Sequence, residues 1–127
     1  MTLFDQAYQQ MQNNSCKDLR VFNEIAFTAK LVGMSAQGTG PYRQVLTEMM
    51  EELHLVTPRS ILTQPLFIAA PNSTSTDMKC INRDAIVPNP SCGSMEALNM
   101  YSFFGRLIGI AIRNTSQGTM LPLYLTR

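Results

Sequence analysis

The chain has 127 residues, of which 45% are hydrophobic, enough for one domain built on one core. Its formal net charge is +1, which argues against a basic stripe for nucleic acid and against an acidic tail for a basic partner. Nine methionines and no tryptophan are unusual, but many of the methionines fall at core-type positions, where a flexible thioether fills gaps.

Residues 2–13 read as a short amphipathic helix. Thr2 is placed to cap it, with Asp5 three residues later as an imperfect capping box. Leu3, Phe4, Ala7, Tyr8 and Met11 form one stripe with glutamines opposite. The first eleven residues hold no basic stretch followed by an apolar run, so no secretory signal is expected. From 25 to 32 the period changes to two: Ile25, Phe27, Ala29 and Leu31 alternate with smaller or polar residues, the pattern of a half-buried strand. Gly33 closes it, and a loop over 34–40 follows, with Gly38 and Gly40 flanking Thr39.

Pro41 fits the first position of a helix, where a missing N–H costs nothing. Tyr42, Val45, Leu46, Met49, Met50 and Leu53 then give the cleanest helical spacing in the chain. The opposite face carries Arg43, Gln44, Thr47, Glu48, Glu51 and Glu52, with the base near the start and the acids near the end, against the helix dipole. Such a face reads as solvated rather than as an acidic ridge for a partner. Residues 57–60 are a connector, and 66–70 an apolar run stopped by Pro71-Asn72, expected to be a short buried strand. Residues 73–79 read as a polar, mobile surface loop, 85–87 as a brief extended piece, and Pro88-Asn89-Pro90 as its end.

The stretch 94–113 is the one around which the rest is organised. Leu98, Tyr101, Phe104, Leu107, Ile108 and Ala111 recur at helical spacing, and Met100, Phe103, Ile110 and Ile112 broaden the stripe. Asn99, Ser102, Arg106 and Arg113 fall on one narrow polar line. A helix with so little polar face is expected to be enclosed on several sides, and Gly105 and Gly109 mark where another backbone would approach. Ser94 is the expected N-cap, with Glu96 in the first turn. Glu96, Arg106 and Arg113 leave too short an uncharged run to cross a bilayer. A further apolar element begins at 121–125.

No active site emerges from residue chemistry. Cys16, Cys80 and Cys92 are odd in number and far apart, which supports neither a zinc site nor a disulfide framework and fits reduced thiols in the cytoplasm or nucleus. Cys16 and Cys80 lie beside lysines but have no base nearby, and Cys92, ahead of the long helix, reads as an inert thiol. His54 is the single histidine and closes the Pro41 helix, a structural placement that suits the dipole. The loop around Gly38 lacks the glycine spacing and the lysine of the phosphate-binding motifs, so a small phosphate-binding protein is the weakest of the readings. No metal or cofactor is expected. Asn13, Asn72 and Asn114 begin Asn-x-Ser/Thr triplets that read as chance matches.

Several stretches, in order, resemble the N-terminal lobe of HECT-type ubiquitin ligases. FDQAYQQM followed by DLRVF resembles the entry helices of that lobe, and FTAKLVG followed by GTGPYRQVLTEMMEEL its strand, glycine turn and long helix. PLFIAAPN, NRDAIVPNPS and SFFGRLIGIAIR followed by LPLYL complete the series, and the wording is most similar to the large multi-domain ligases. Met34 stands where the family often has an acid, and Gln37 and Thr39 replace an Asp and a Gly.

The resemblance implies an α+β fold, mostly helical with a few short strands, in which residues 1–127 form part of the large subdomain of the N-lobe. It implies a parent that accepts ubiquitin from a conjugating enzyme as a cysteine thioester and passes it to substrate lysines. The family's segment for docking the conjugating enzyme and its catalytic C-terminal lobe have no counterpart in these residues. The chain is therefore expected to be a scaffold, inactive alone, with no catalytic residue of its own, whose partner is the remainder of the HECT domain. The alternative is a non-catalytic interaction module that binds other lobes or partners through an exposed apolar helix face around Phe103, Phe104 and Leu107. Neither reading involves nucleic acid or a membrane.

Overall fold

The computed structural model describes residues 2–12, 39–54, 65–77, 79–81 and 83–113. The expected strand over 25–32, the loop over 34–38, the connector at 57–60, the apolar element at 121–125 and Cys16 lie outside the described residues. Three α-helices and a two-stranded antiparallel sheet make up the described part, a mostly helical α+β fold as expected.

Helix α1 spans Leu3–Met11. The four N–H groups that a helix start leaves without intrahelical partners are all satisfied here. Thr2 Oγ1 accepts from the Asp5 N–H at 3.2 Å, and the Asp5 carboxylate accepts from the Thr2 N–H at 3.4 Å, so the capping box is complete. The Leu3 and Phe4 N–H groups donate at 2.8 and 2.9 Å to the two carboxylate oxygens of Glu52, which lies near the end of the next helix. Phe4, Tyr8 and Met11 turn inward along one face.

Helix α2 spans Thr39–His54, so Thr39 and Gly40 belong to the helix rather than to the loop ahead of it. Pro41 is its third residue, not its first. The missing N–H still costs no bond there, because the first-turn N–H groups have no carbonyl within the helix to reach. All six apolar positions of the sequence pattern, from Tyr42 to Leu53, are buried. On the other face, Gln44 Nε2 donates to Glu48 Oε1 at 2.8 Å, an exposed pair one turn apart.

Strands β1 (Phe67–Ala69) and β2 (Ile86–Pro88) pair with Phe67 opposite Pro88 and Ala69 opposite Ile86. A 3-10 turn, Pro71–Thr74, follows β1, and only Phe67 within that strand is buried. The strand run expected to be buried throughout thus lies at an edge, with Leu66, Phe67 and Ala70 inward and Ala69 outward. Beyond β2, the Asn89 N–H and Nδ2 donate to the carbonyls of Leu66 and Pro65, both at 2.9 Å, which ties the chain leaving β2 to the chain entering β1.

Helix α3, Met95–Arg113, is about 28 Å long at the standard rise. Ser94 Oγ accepts from the Ala97 N–H at 3.2 Å, the expected N-cap, and Glu96 and Arg113 sit at the ends the dipole favours. The helix lies between α1 and the sheet. Phe103 meets Phe4 and Tyr8 of α1 at ring centroid distances of 5.4 and 5.8 Å, while Phe104 and Tyr101 meet Phe67 of β1 at 5.0 and 5.7 Å. Adjacent residues point about 100° apart around a helix, so Phe103 and Phe104 together fix which way α3 is rotated.

That rotation corrects part of the expected spine. The buried line is Ala97, Met100, Phe103, Phe104, Leu107, Ile110 and Ala111. Leu98, half a circumference away from Leu107, and Ile112, about 140° away from it, are 53% and 68% exposed. Gly105 and Gly109 lie on the same outward side with nothing within 4 Å of a Cβ at either position, so neither receives a neighbouring backbone among the described residues.

Candidate functional site

The polar line along α3 becomes one wall of a cleft. Asn99, Ser102 and Arg106, three of the four residues on that line, face Tyr8 and Gln12 of α1 across an open cavity of 280 Å³ whose floor includes Phe103. Tyr8 and Gln12 are one turn apart on α1 and so share a face. Arg106 is the single formally charged side chain among these six residues. Burial pushes the Tyr8 phenol above its ordinary ionisation range, and the Glu96 carboxylate adds to the shift, while Asn99 works against it. The phenol therefore stays protonated at neutral pH, with its hydroxyl engaged by the Glu96 and Asn99 side chains.

Tyr101, on the other flank of α3, donates its hydroxyl to the Leu66 carbonyl. Burial raises this phenol as well, with a smaller contribution from nearby Cys92 and an opposing one from the Asn89 main chain. Its place is structural: it fastens the sheet to the helix.

The sequence candidates are not brought together. Cys92 is buried just ahead of α3, its N–H bonded to the Asn89 carbonyl at 3.0 Å. Cys80 lies in the connector between the strands, half-buried, and accepts a hydrogen bond from Ser75 Oγ at 3.1 Å. His54 ends α2, and its side chain lies outside the described residues. Among the described residues no group of three metal-ligating side chains occurs. Nor is any described helix long and apolar enough to cross a membrane. The polar connector expected over 73–79 is held by its own side chains: Asp77 accepts from the Lys79 N–H at 2.9 Å and Asn72 donates to the Ile81 carbonyl at 3.1 Å.

Phe103, Phe104 and Leu107, the residues assigned to an exposed docking face, are buried at 2%, 7% and 0% exposure. The apolar residues that α3 does expose are Met95, Leu98 and Ile112. Glu52, read from sequence as part of a solvated face, is the second feature that local pattern did not give, since its partner helix lies 48 and 49 residues away.

No family model matches the chain, and no solved structure matches it. Over 116 residues, 91% of the chain, it is 33% identical to the mouse (Mus musculus) E3 ubiquitin-protein ligase HERC2. The matched stretch covers 2% of that ligase. The likeness thus runs through nearly all of this chain and a small share of the relative.

Proposed function

We propose that the chain is a scaffold portion of a HECT-type ubiquitin ligase, with residues 1–127 contributing to the large subdomain of the N-lobe. The observation that carries this reading is the 33% identity to a ubiquitin ligase, spread over 91% of the chain. The ordered resemblance of its segments to that lobe supports it, as does a central helix whose aromatic residues hold α1 on one side and a hairpin on the other. In such a ligase this part positions other lobes and does no bond-making itself. Ubiquitin passes from a conjugating enzyme to a cysteine elsewhere and then to a lysine amine.

The reading predicts no ubiquitin thioester on this chain. In an assay with activating enzyme, conjugating enzyme, ATP and ubiquitin, no thiol-reducible adduct should form, and an adduct on Cys92 would refute the scaffold role. A second experiment tests the lobe assignment. Deleting the matched stretch from mouse HERC2 should abolish its thioester charging, and replacing it with this chain should restore charging. Unaffected charging after deletion, or a cooperatively melting chimera that fails to charge, would overturn it.

A further inference from the structure

We propose that Thr74, at the end of the 3-10 turn after β1, is a phosphorylation site for a protein kinase whose peptide groove takes an acidic side chain three residues after the acceptor, the place of Asp77. The inference goes beyond the ligase reading and does not depend on it.

A hydroxyl residue with an acid three positions later occurs at Thr2–Asp5, Ser15–Asp18 and Thr74–Asp77. The first pair is consumed by the fold: Thr2 Oγ1 accepts the Asp5 N–H as half of a capping box, and Asp5 is fully buried. Ser15 lies outside the described residues. Thr74 has the same spacing but no helix to cap, since it ends its turn rather than starting one. Thr74 and Asp77 are both exposed, and the Thr74 hydroxyl makes no hydrogen bond among the described residues. The neighbouring hydroxyls fit less well. Ser73 is half-buried and has Thr76 three residues on. Ser75 Oγ is held between the Cys80 thiol and the Asp77 N–H, at 3.1 and 3.2 Å. Thr76 is exposed, but a base, Lys79, stands three residues after it.

A kinase groove holds its acceptor segment extended, which sets Thr74 and Asp77 about 10 Å apart. Reaching that form breaks only local bonds: the Ser73 N–H to the Ala70 carbonyl, the Ser75 N–H to the Asn72 carbonyl, and Asn72 Nδ2 to the Ile81 carbonyl. No residue of the turn is buried, so no core contact is given up, and exposed segments of this kind open at small cost. The pairing of β1 with β2 is kept, because both strands lie outside the segment. In the transfer, Thr74 Oγ1 bonds to the γ-phosphorus of ATP, the bond from that phosphorus to its bridging oxygen breaks, ADP leaves, and the hydroxyl proton passes to the kinase's carboxylate base. Asp77 and Lys79 cancel within 71–80, so a phosphate of charge about −1.5 to −2 turns a neutral connector strongly negative.

The test is phosphorylation of the purified full chain with magnesium and ATP by an acid-directed serine/threonine kinase and, in parallel, by a base-directed one, with the acceptor located by tandem mass spectrometry. The acid-directed kinase should place one phosphate on Thr74, and Thr74→Val should abolish it. Asp77→Asn keeps the side-chain oxygen that accepts the Lys79 N–H at 2.9 Å and removes only the charge. It should therefore lower kcat/KM by about tenfold or more with an unchanged far-ultraviolet circular dichroism spectrum, the loss of a charge-assisted contact, while Asp77→Glu should keep the rate. Thr2 should stay unmodified, because its hydroxyl serves the cap. A chain left without phosphate on Thr74, an undiminished rate in Asp77→Asn, or equal modification of Thr74 by the base-directed kinase would each overturn the proposal.

Discussion

The inward and outward sides of α3 are built from similar residue types and have opposite fates. Leucines, isoleucines and small residues occur on both, yet Leu107 and Ile110 are sealed while Leu98 and Ile112 stand in solvent. What separates them is the pair of aromatic rings. Phe103 packs tilted or edge-on against the rings of α1 and Phe104 edge-on against Phe67 of β1, and a helix held by both rings has no rotational freedom left for Leu98 to turn inward. Apolar content alone therefore does not say which side of a helix is core. The bulky side chains that find partners on two different elements decide it.

The sharpest way to break this comparison is a matched pair of truncations. Leu107→Ala removes a fully buried side chain and should cost about 2–5 kcal/mol, the transfer loss plus a cavity term. Leu98→Ala should change stability by no more than about 0.5 kcal/mol. Urea unfolding of both variants, with equal slopes, measures the difference. Equal losses at the two positions would mean that the outward side is covered in solution.

Next in size is the carboxylate that holds α1 against the inward side. Glu52 sits near the end of α2, where its charge opposes its own helix dipole by a few tenths of a kcal/mol. Its two hydrogen bonds to the Leu3 and Phe4 N–H groups lie at the positive end of α1, and bonds to a charged group contribute about 1.5–3 kcal/mol. The second term is several times the first, which explains why an acid occupies a position its own helix disfavours. Glu52→Gln should lose much of that stabilisation, whereas the exposed Glu51→Gln should be close to neutral. Because α1 carries Phe4 and Tyr8, a destabilised Glu52 variant should also show loosened rings at Phe103, visible as loss of near-ultraviolet circular dichroism.

These cases show what the chain discloses locally and what it does not. All six inward positions of α2, the Thr2–Asp5 box and the Ser94 cap could be read from spacing, because each depends on residues within a few turns. Glu52 could not: its partner N–H groups are 48 and 49 residues away, and nothing near Glu52 points to them. The cleft was half visible. Asn99, Ser102 and Arg106 form a line in sequence, but the opposing Tyr8 and Gln12 appear only once Phe103 has brought α1 alongside. The turn before α2 was misjudged by two residues because proline is equally at ease anywhere in a first turn.

The Ser94 cap gives a smaller effect with a clear control. Ser94→Ala leaves the Ala97 N–H without its acceptor and should cost about 1 kcal/mol in chemical denaturation. Ser94→Gly should cost only a few tenths, because water reaches the freed donor and glycine adopts the cap conformation. The cap serves both sides of α3 equally, so this loss should leave the contrast between Leu107→Ala and Leu98→Ala intact.

The last prediction changes sign and tests the outward side directly. Glycine within a helix is disfavoured against alanine by about 0.5–1 kcal/mol, since it surrenders more backbone freedom on folding. Gly105 and Gly109 both lie inside α3, and a methyl group on either would meet nothing within 4 Å. If the outward side is open, Gly105→Ala and Gly109→Ala should each raise stability by about 0.4–1 kcal/mol, and the pair should be additive within error. A loss instead would require a neighbour pressed against the glycines, the close backbone approach that their one-turn spacing suggests from sequence. The contrast between the two sides of α3 would then be one between two occupied faces, and the exposure of Leu98 and Ile112 would have to be read as the rim of a second contact rather than as solvent-facing surface.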